Sequence, residues 1–211
     1  MNSRNTSGFT LVELMVTLMV GSIVLGIGVP AFNGFIATNQ MAAAANDITS
    51  SLHLARTEAV KRRTNVTLCA SSDWNTAAPT CNNGASLGNG WIVFVDCTVA
   101  PPPVGTCGAP NLVVDGFDTV VATHGPMQGN VANNFTTNPG NPEYLSFSAT
   151  GFPRPIVGLG QPKTDFLLCD NRGNTDIGGG VAAGRWIRIS PTGRPQIFRM
   201  QVDVQSMLGG C

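Results

Sequence analysis

The sequence predicts an α+β protein: a long N-terminal α-helix, half transmembrane and half amphipathic, followed by a loop-rich head built from β-strands. Three observations carry this prediction. An apolar run from Phe9 to about Phe32 contains one formal charge, Glu13. Behind it, apolar residues recur at helical spacing as far as Ala59. Past Arg63, short β-branched and aromatic segments alternate with Gly-, Pro- and Asn-rich stretches, and all six cysteines fall in this part.

The apolar run comes first in the chain's logic. About twenty residues at roughly 1.5 Å each span the hydrocarbon core of a bilayer. A secretory signal would place a small-residue cleavage site after such a segment. Here the candidate processing point lies before it, so the segment is expected to stay. Arg4 ahead of the run favours a cytoplasmic N-terminus with the remainder outside. Glu13 is the exception within the run. A carboxylate at membrane depth costs roughly 2.5–3.5 kcal/mol unless it is paired or stays wet at the headgroups. Pro30 lacks the N–H that the helix ladder needs, so a kink or local melting is expected there.

Beyond Pro30 the pattern becomes amphipathic. Met41, Ala45, Ile48, Leu52, Ala55 and Ala59 alternate steps of four and three and fall on one face. That stripe must cover something, and the downstream strands are the available partner. His53 lies beside it as a surface or packing residue. Lys61, Arg62 and Arg63 complement the negative end of the helix dipole.

The segments Asn65–Cys69, Gly90–Asp96, Leu112–Val114, Thr119–Val121, Tyr144–Phe147, Asp165–Cys169 and Arg185–Ile189 read as strands, with a last one within Ile197–Val204. The Gly178–Gly180 run is expected to be flexible. It lacks the Gly-Lys-Ser/Thr ending of a phosphate loop.

The 211 residues have zero formal net charge, and only 11% are charged. Bulk electrostatics therefore give no indication of a nucleic-acid binder or a polybasic membrane protein. Cys69, Cys81, Cys97, Cys107, Cys169 and Cys211 include no Cys-x-x-Cys pair, and neither His53 nor His124 sits at zinc-ligand spacing from them. Disulfides in an oxidising compartment fit better. Six cysteines allow fifteen pairings; the expected one is Cys69–Cys81, Cys97–Cys107 and Cys169–Cys211. No catalytic spacing, metal cluster or cofactor motif is recognisable, so a non-enzymatic protein is expected. Arg185, Arg188, Arg194 and Arg199 lie close together in sequence beside Trp186. Their planar forks suit phosphate, although strand alternation could separate them or pair them with Asp170, Asp176 or Asp203.

The stretch Gly8-Phe9-Thr10-Leu11-Val12-Glu13 resembles the type IV pilin superfamily. The resemblance implies a prepilin leader over residues 1–8, cleavage after Gly8 by a prepilin peptidase, and N-methylation of Phe9. It also implies a charge pair between Glu13 and the freed amino group of Phe9 on a neighbouring subunit. Residues 9–32 become the transmembrane and filament-core helix, 33–63 its amphipathic continuation, and 64–211 the globular β-rich head. Leu52–Lys61, Thr67-Leu68-Cys69, Gly90–Phe94 and Ile189–Arg194 look like the FimT/GspH branch of minor pilins and pseudopilins.

The fold this resemblance implies is pilin-like: a long helix packed on an antiparallel β-sheet head with disulfides. The function it implies is that of a minor type IV pilin, a structural subunit that primes or caps the pilus at its tip. Two alternatives stay open, a tip pilin that captures double-stranded DNA for uptake and a minor pseudopilin of type II secretion. Implied partners are other pilins in a helical filament, the prepilin peptidase and an inner-membrane assembly platform. The implied location is the bacterial inner membrane, then a surface pilus or periplasmic pseudopilus. In some relatives a Gly-Arg-x-Arg motif binds DNA. Gly193 and Arg194 match it, but Gln196 stands in place of the second arginine, with Arg185, Arg188 and Arg199 as candidate substitutes.

Overall fold

Helix α1 runs over Leu11–Arg62, 52 residues. This computed structural model describes residues 8–81, 86–103, 105–129, 132–134, 143–207 and 211; Arg4 and the rest of the expected leader up to Ser7 lie outside them. Of the two outcomes expected at Pro30, local melting does not occur, since the helix contains that residue in its interior. A proline deletes one rung of the ladder, and the rungs on either side hold the helix together. The helix ends in a Schellman-type cap: Arg63 adopts a left-handed φ of 56°. Its N–H donates to Val60 O, and that of Thr64 donates to Ala59 O. Within the last turns Glu58 pairs with both Lys61 and Arg62.

Residues up to Asn39 form one compact unit and Gln40–Cys211 a second. In the first, the large apolar side chains of α1, such as Leu18, Leu25 and Phe32, are more than half exposed. Residues 11–39 are apolar nearly all round, and α1 is long and apolar enough to cross a membrane. Its hydroxyls satisfy themselves: Thr17 donates to Leu14 O and Ser22 to Met19 O, each at 2.8 Å. Self-satisfaction of this kind is what a lipid environment demands of polar groups.

In the second unit, α1 buries Met41, Ala44, Ala45, Ile48, Leu52, Ala55 and Ala59, which includes every residue of the predicted stripe. Two antiparallel sheets receive it. The first uses β1 (Val66–Ala70), β2 (Trp91–Val95), β3 (Thr119–His124), β5 (Tyr144–Phe147) and β6 (Pro153–Arg154), in the order β3-β2-β1-β5-β6. The second uses β4 (Ala132–Asn134), β7 (Asp165–Cys169), β8 (Val181–Ile189) and β9 (Pro195–Met200), in the order β4-β7-β8-β9. The main core joins the helix stripe to Val66, Leu68, Val93, Val95, Leu145 and Phe147 of the first sheet and to Phe166, Leu168, Ile187 and Ile189 of the second. Alternation sends the intervening residues to two smaller clusters on the other faces. Cys69, Ile92, Phe94 and Tyr144 pack there with Leu112 and Ile156. Leu167, Cys169 and Trp186 pack with Val204 of the short helix α2 (Gln201–Ser206). Both faces of these strands are thus covered, which is why β2 reads as an unbroken apolar run and β1 is interrupted only by the hydrogen-bonded Thr67.

One expected strand is absent, and two other expectations are refined. Leu112–Val114 is not a strand. Asp96, fully buried, accepts from the N–H groups of Asn111 and Leu112 and from the Thr67 hydroxyl. With those N–H groups engaged and Leu112 at φ 62°, the segment cannot run extended and instead lays Leu112 over the outer face of the first sheet. Ile197–Val204 divides, strand as far as Met200 and helix from Gln201. The Gly178–Gly180 run forms a defined turn, its Gly178 and Gly180 N–H groups donating to the Asp176 carboxylate. The bridges are Cys69–Cys81, Cys97–Cys107 and Cys169–Cys211, the pairs expected from the sequence.

Candidate assembly helix and arginine surface

At the start of α1, Gly8, Phe9 and Thr10 precede the helical residues and are exposed. Thr10 is the N-cap: its Oγ1 accepts from the Glu13 N–H at 3.2 Å, and its carbonyl accepts from Leu14 N–H. This is one half of a Thr-x-x-Glu capping box, a spacing legible in the sequence but not used there. It places Glu13 in the first turn with an exposed side chain. A carboxylate at that end of a helix is favoured by the dipole. The arrangement offers one negative charge, held at a fixed position two turns or less from Phe9, to an incoming cation.

The arginine set does not form one patch. Strands β8 and β9 pair with Trp186 opposite Phe198, Ile187 opposite Ile197 and Arg188 opposite Gln196. Trp186 and Phe198 stack at 4.4 Å, and Arg188 lies 4.9 Å over the Trp186 ring on that same face. Arg188 also pairs with Asp165 at 3.2 Å, and the same carboxylate accepts from the Trp186 indole. Asp165 was not among the acids expected to pair with these arginines. Asp170 instead binds Arg172, and Asp176 binds backbone.

Arg185 corrects the sequence reading most sharply. It is 7% exposed, and its Nη1 donates to the carbonyls of Ala182, Ala183 and Gly184. A side chain so withdrawn cannot meet a duplex on the surface. Burial, with Arg199 and Arg172 nearby, pushes its pKa down from the usual guanidinium value. Arg194 and Arg199 are exposed. Arg194 sits at the β8–β9 turn, where Gly193 has φ 78°; a Cβ there would meet Gly151 O at 2.5 Å. Arg56 of α1 donates to that same carbonyl at 3.1 Å. Gly193 is therefore required by the turn itself, whatever Arg194 touches.

Two sequence profiles match the chain. That of the family described as Type II transport protein GspH covers residues 44–193. The chain belongs to the GspH family. A second profile, the prokaryotic N-terminal methylation motif, covers residues 3–29, so this GspH-family chain carries both the motif and the head. Among curated proteins, none matches it. Two solved crystal structures of the type IV minor pilin FimU from Pseudomonas aeruginosa (strain PAO1) are similar. One has 23% identity and a TM-score of 0.48, covering 78% of this chain and 92% of that chain. The other has 22% identity and a TM-score of 0.43, covering 74% and 91%. The two profiles make the chain a minor pilin or pseudopilin of the FimT/GspH branch. Its own elements give the α+β fold, a long helix on antiparallel sheet, and its motif and apolar N-terminal helix suit anchoring in the inner membrane. Family and fold are those of structural subunits that associate with other pilins in a filament.

Proposed function

We propose that the chain is a minor type IV pilin that is cut after Gly8 by a prepilin peptidase, methylated at Phe9 and built into a pilus near its tip. On this reading the N-terminus is cytoplasmic before assembly, and an inner-membrane platform moves the helix from lipid into the filament core. The carrying observation is α1 itself: over residues 11–39 its large apolar side chains are left exposed, while Glu13 alone carries charge. An all-round apolar helix is stable in lipid or among similar helices. Pairing Glu13 with the freed amine of a neighbour's Phe9 would neutralise the charge on transfer to the filament interior. Pro30 contributes a missing rung where the helix could adapt on packing.

The test is Glu13→Val in cells. Membrane insertion is expected to be unchanged and incorporation into sheared filaments to fall at least tenfold. Undiminished incorporation would contradict the role given to Glu13. Amino-terminal sequencing of mature protein should begin at methylated Phe9. A minor pseudopilin role in type II secretion is the second reading, favoured by the description of the matching family. Scoring a deletion for pilus formation, DNA uptake and protein secretion side by side separates the two. Double-stranded DNA capture, if it occurs at this surface, rests on exposed Arg194 and Arg199, not on Arg185. Arg194→Ala leaving salt-dependent gel shifts unchanged removes that site.

A further inference from the structure

A cavity of about 410 Å3 lies between α1 and strand β9, lined by Ala42, Ala45 and Asn46 on the helix side and by Arg185, Ile197 and Arg199 on the sheet side. Alternation from the Ile187–Ile197 pair puts Arg185 and Arg199 on this one face. Arg185 is nearly buried, its Nη1 is spent on three carbonyls of its own strand, and among the described residues no carboxylate pairs with it. Asp170, the acid that acts on it, already binds Arg172 through two side-chain nitrogens. Arg199 adds a second positive charge and has no ion pair among the described residues. The lining contains no acidic residue at all. A nearly buried guanidinium served by carbonyls, whose one nearby acid is already bound to Arg172, gains from a further anion. Ala42 and Ala45 keep the helix side low, and β9 is the edge of its sheet, so the cavity is open to an approaching chain.

We infer that this cleft receives an aspartate or glutamate side chain from a neighbouring protein subunit, clasped between Arg185 and Arg199. A planar carboxylate matches the unused edge of the Arg185 fork. The cleft admits a carboxylate side chain as far as the nearly buried Arg185, whereas a duplex would reach only the exposed Arg199 at its rim. The inference rests on the reading of the chain as a filament subunit, since that supplies the neighbour.

The test uses full-length protein in cells, with a photo-crosslinking amino acid at Ile197 on the cleft rim. The expected product is a crosslink to another pilin, mapped by mass spectrometry to a segment containing an acidic residue. Arg199→Glu, an exposed change that supplies Arg185 with an internal carboxylate, is expected to reduce that crosslink at least tenfold. Exchanging the neighbour's mapped acid for lysine is expected to restore it. Because Arg199 is on the surface, a melting temperature no lower than wild type shows that the fold survives. A crosslink to a segment without an acid, a crosslink indifferent to Arg199→Glu, or a crosslink to DNA alone would overturn the inference. If the protein enters filaments but gives no crosslink, the cleft assignment fails by itself. If it never enters filaments, the subunit reading fails with it.

Discussion

Residues 11–39 and 40–62 belong to one helix, yet they solve opposite problems. The second stretch buries a stripe in which four of seven side chains are alanine; these let the helix lie close over two sheets while Met41, Ile48 and Leu52 fill the space between. The first stretch spreads Leu, Val, Ile and Met around its circumference and leaves them exposed. Helical continuity therefore says little about what an element is for. The angular distribution of apolar residues says more, because it tells whether the surroundings are one-sided, as in a protein core, or the same on all sides, as in lipid.

The same substitution placed in each stretch gives the sharpest contrast. Leu52→Asp puts a charge into a fully buried site and is expected to cost about 4–5 kcal/mol or more, enough to unfold the head in a urea or thermal melt. Leu18→Asp is expected to leave the head's melt unchanged and to weaken membrane insertion by roughly 2.5–3.5 kcal/mol, read in an insertion assay. Equal effects on the melt would erase the distinction.

A smaller effect comes from pH, and it belongs to the head. Burial raises Asp118 to about 6 and Glu143 to about 7, above the usual carboxylate range. Between the unfolded and folded values the native state holds more protons, so stability rises as pH falls through those values. Glu58, held low by its hydrogen bond to Arg62 despite some desolvation, acts in the opposite sense, and its contribution is lost only in stronger acid. The head is expected to melt at higher temperature at pH 5 than at pH 8, by calorimetry. The smallest effect is Thr10→Ala, which removes the cap of the apolar stretch. It is expected to cost about 1 kcal/mol of local helix stability, seen as faster amide exchange over residues 11–14 in micelles.

The helix stripe was legible because its apolar residues keep a helical period, and strands β1, β2, β5 and β7 because short β-branched and aromatic runs, buried on both faces, stand between turn-rich stretches. Strands β4 and β6 were not, being three and two residues long, too short to show any period. Leu112–Val114 looked like a strand because its apolar content was right; what decides its shape is Asp96, sixteen residues upstream of Leu112. The arginines were misread for a related reason. Closeness in sequence suggested one cationic surface, but a period of two and the burial of Arg185 divide them, and Asp165, well removed in sequence, claims Arg188. Pairings across such separations leave no local trace.

Asp96 and the Cys97–Cys107 bridge together pin both ends of the excursion between β2 and Leu112. The chain therefore leaves and rejoins the sheet at fixed points. Such an excursion can be exchanged like a cartridge, so new surface chemistry can be installed there while the scaffold below keeps its shape.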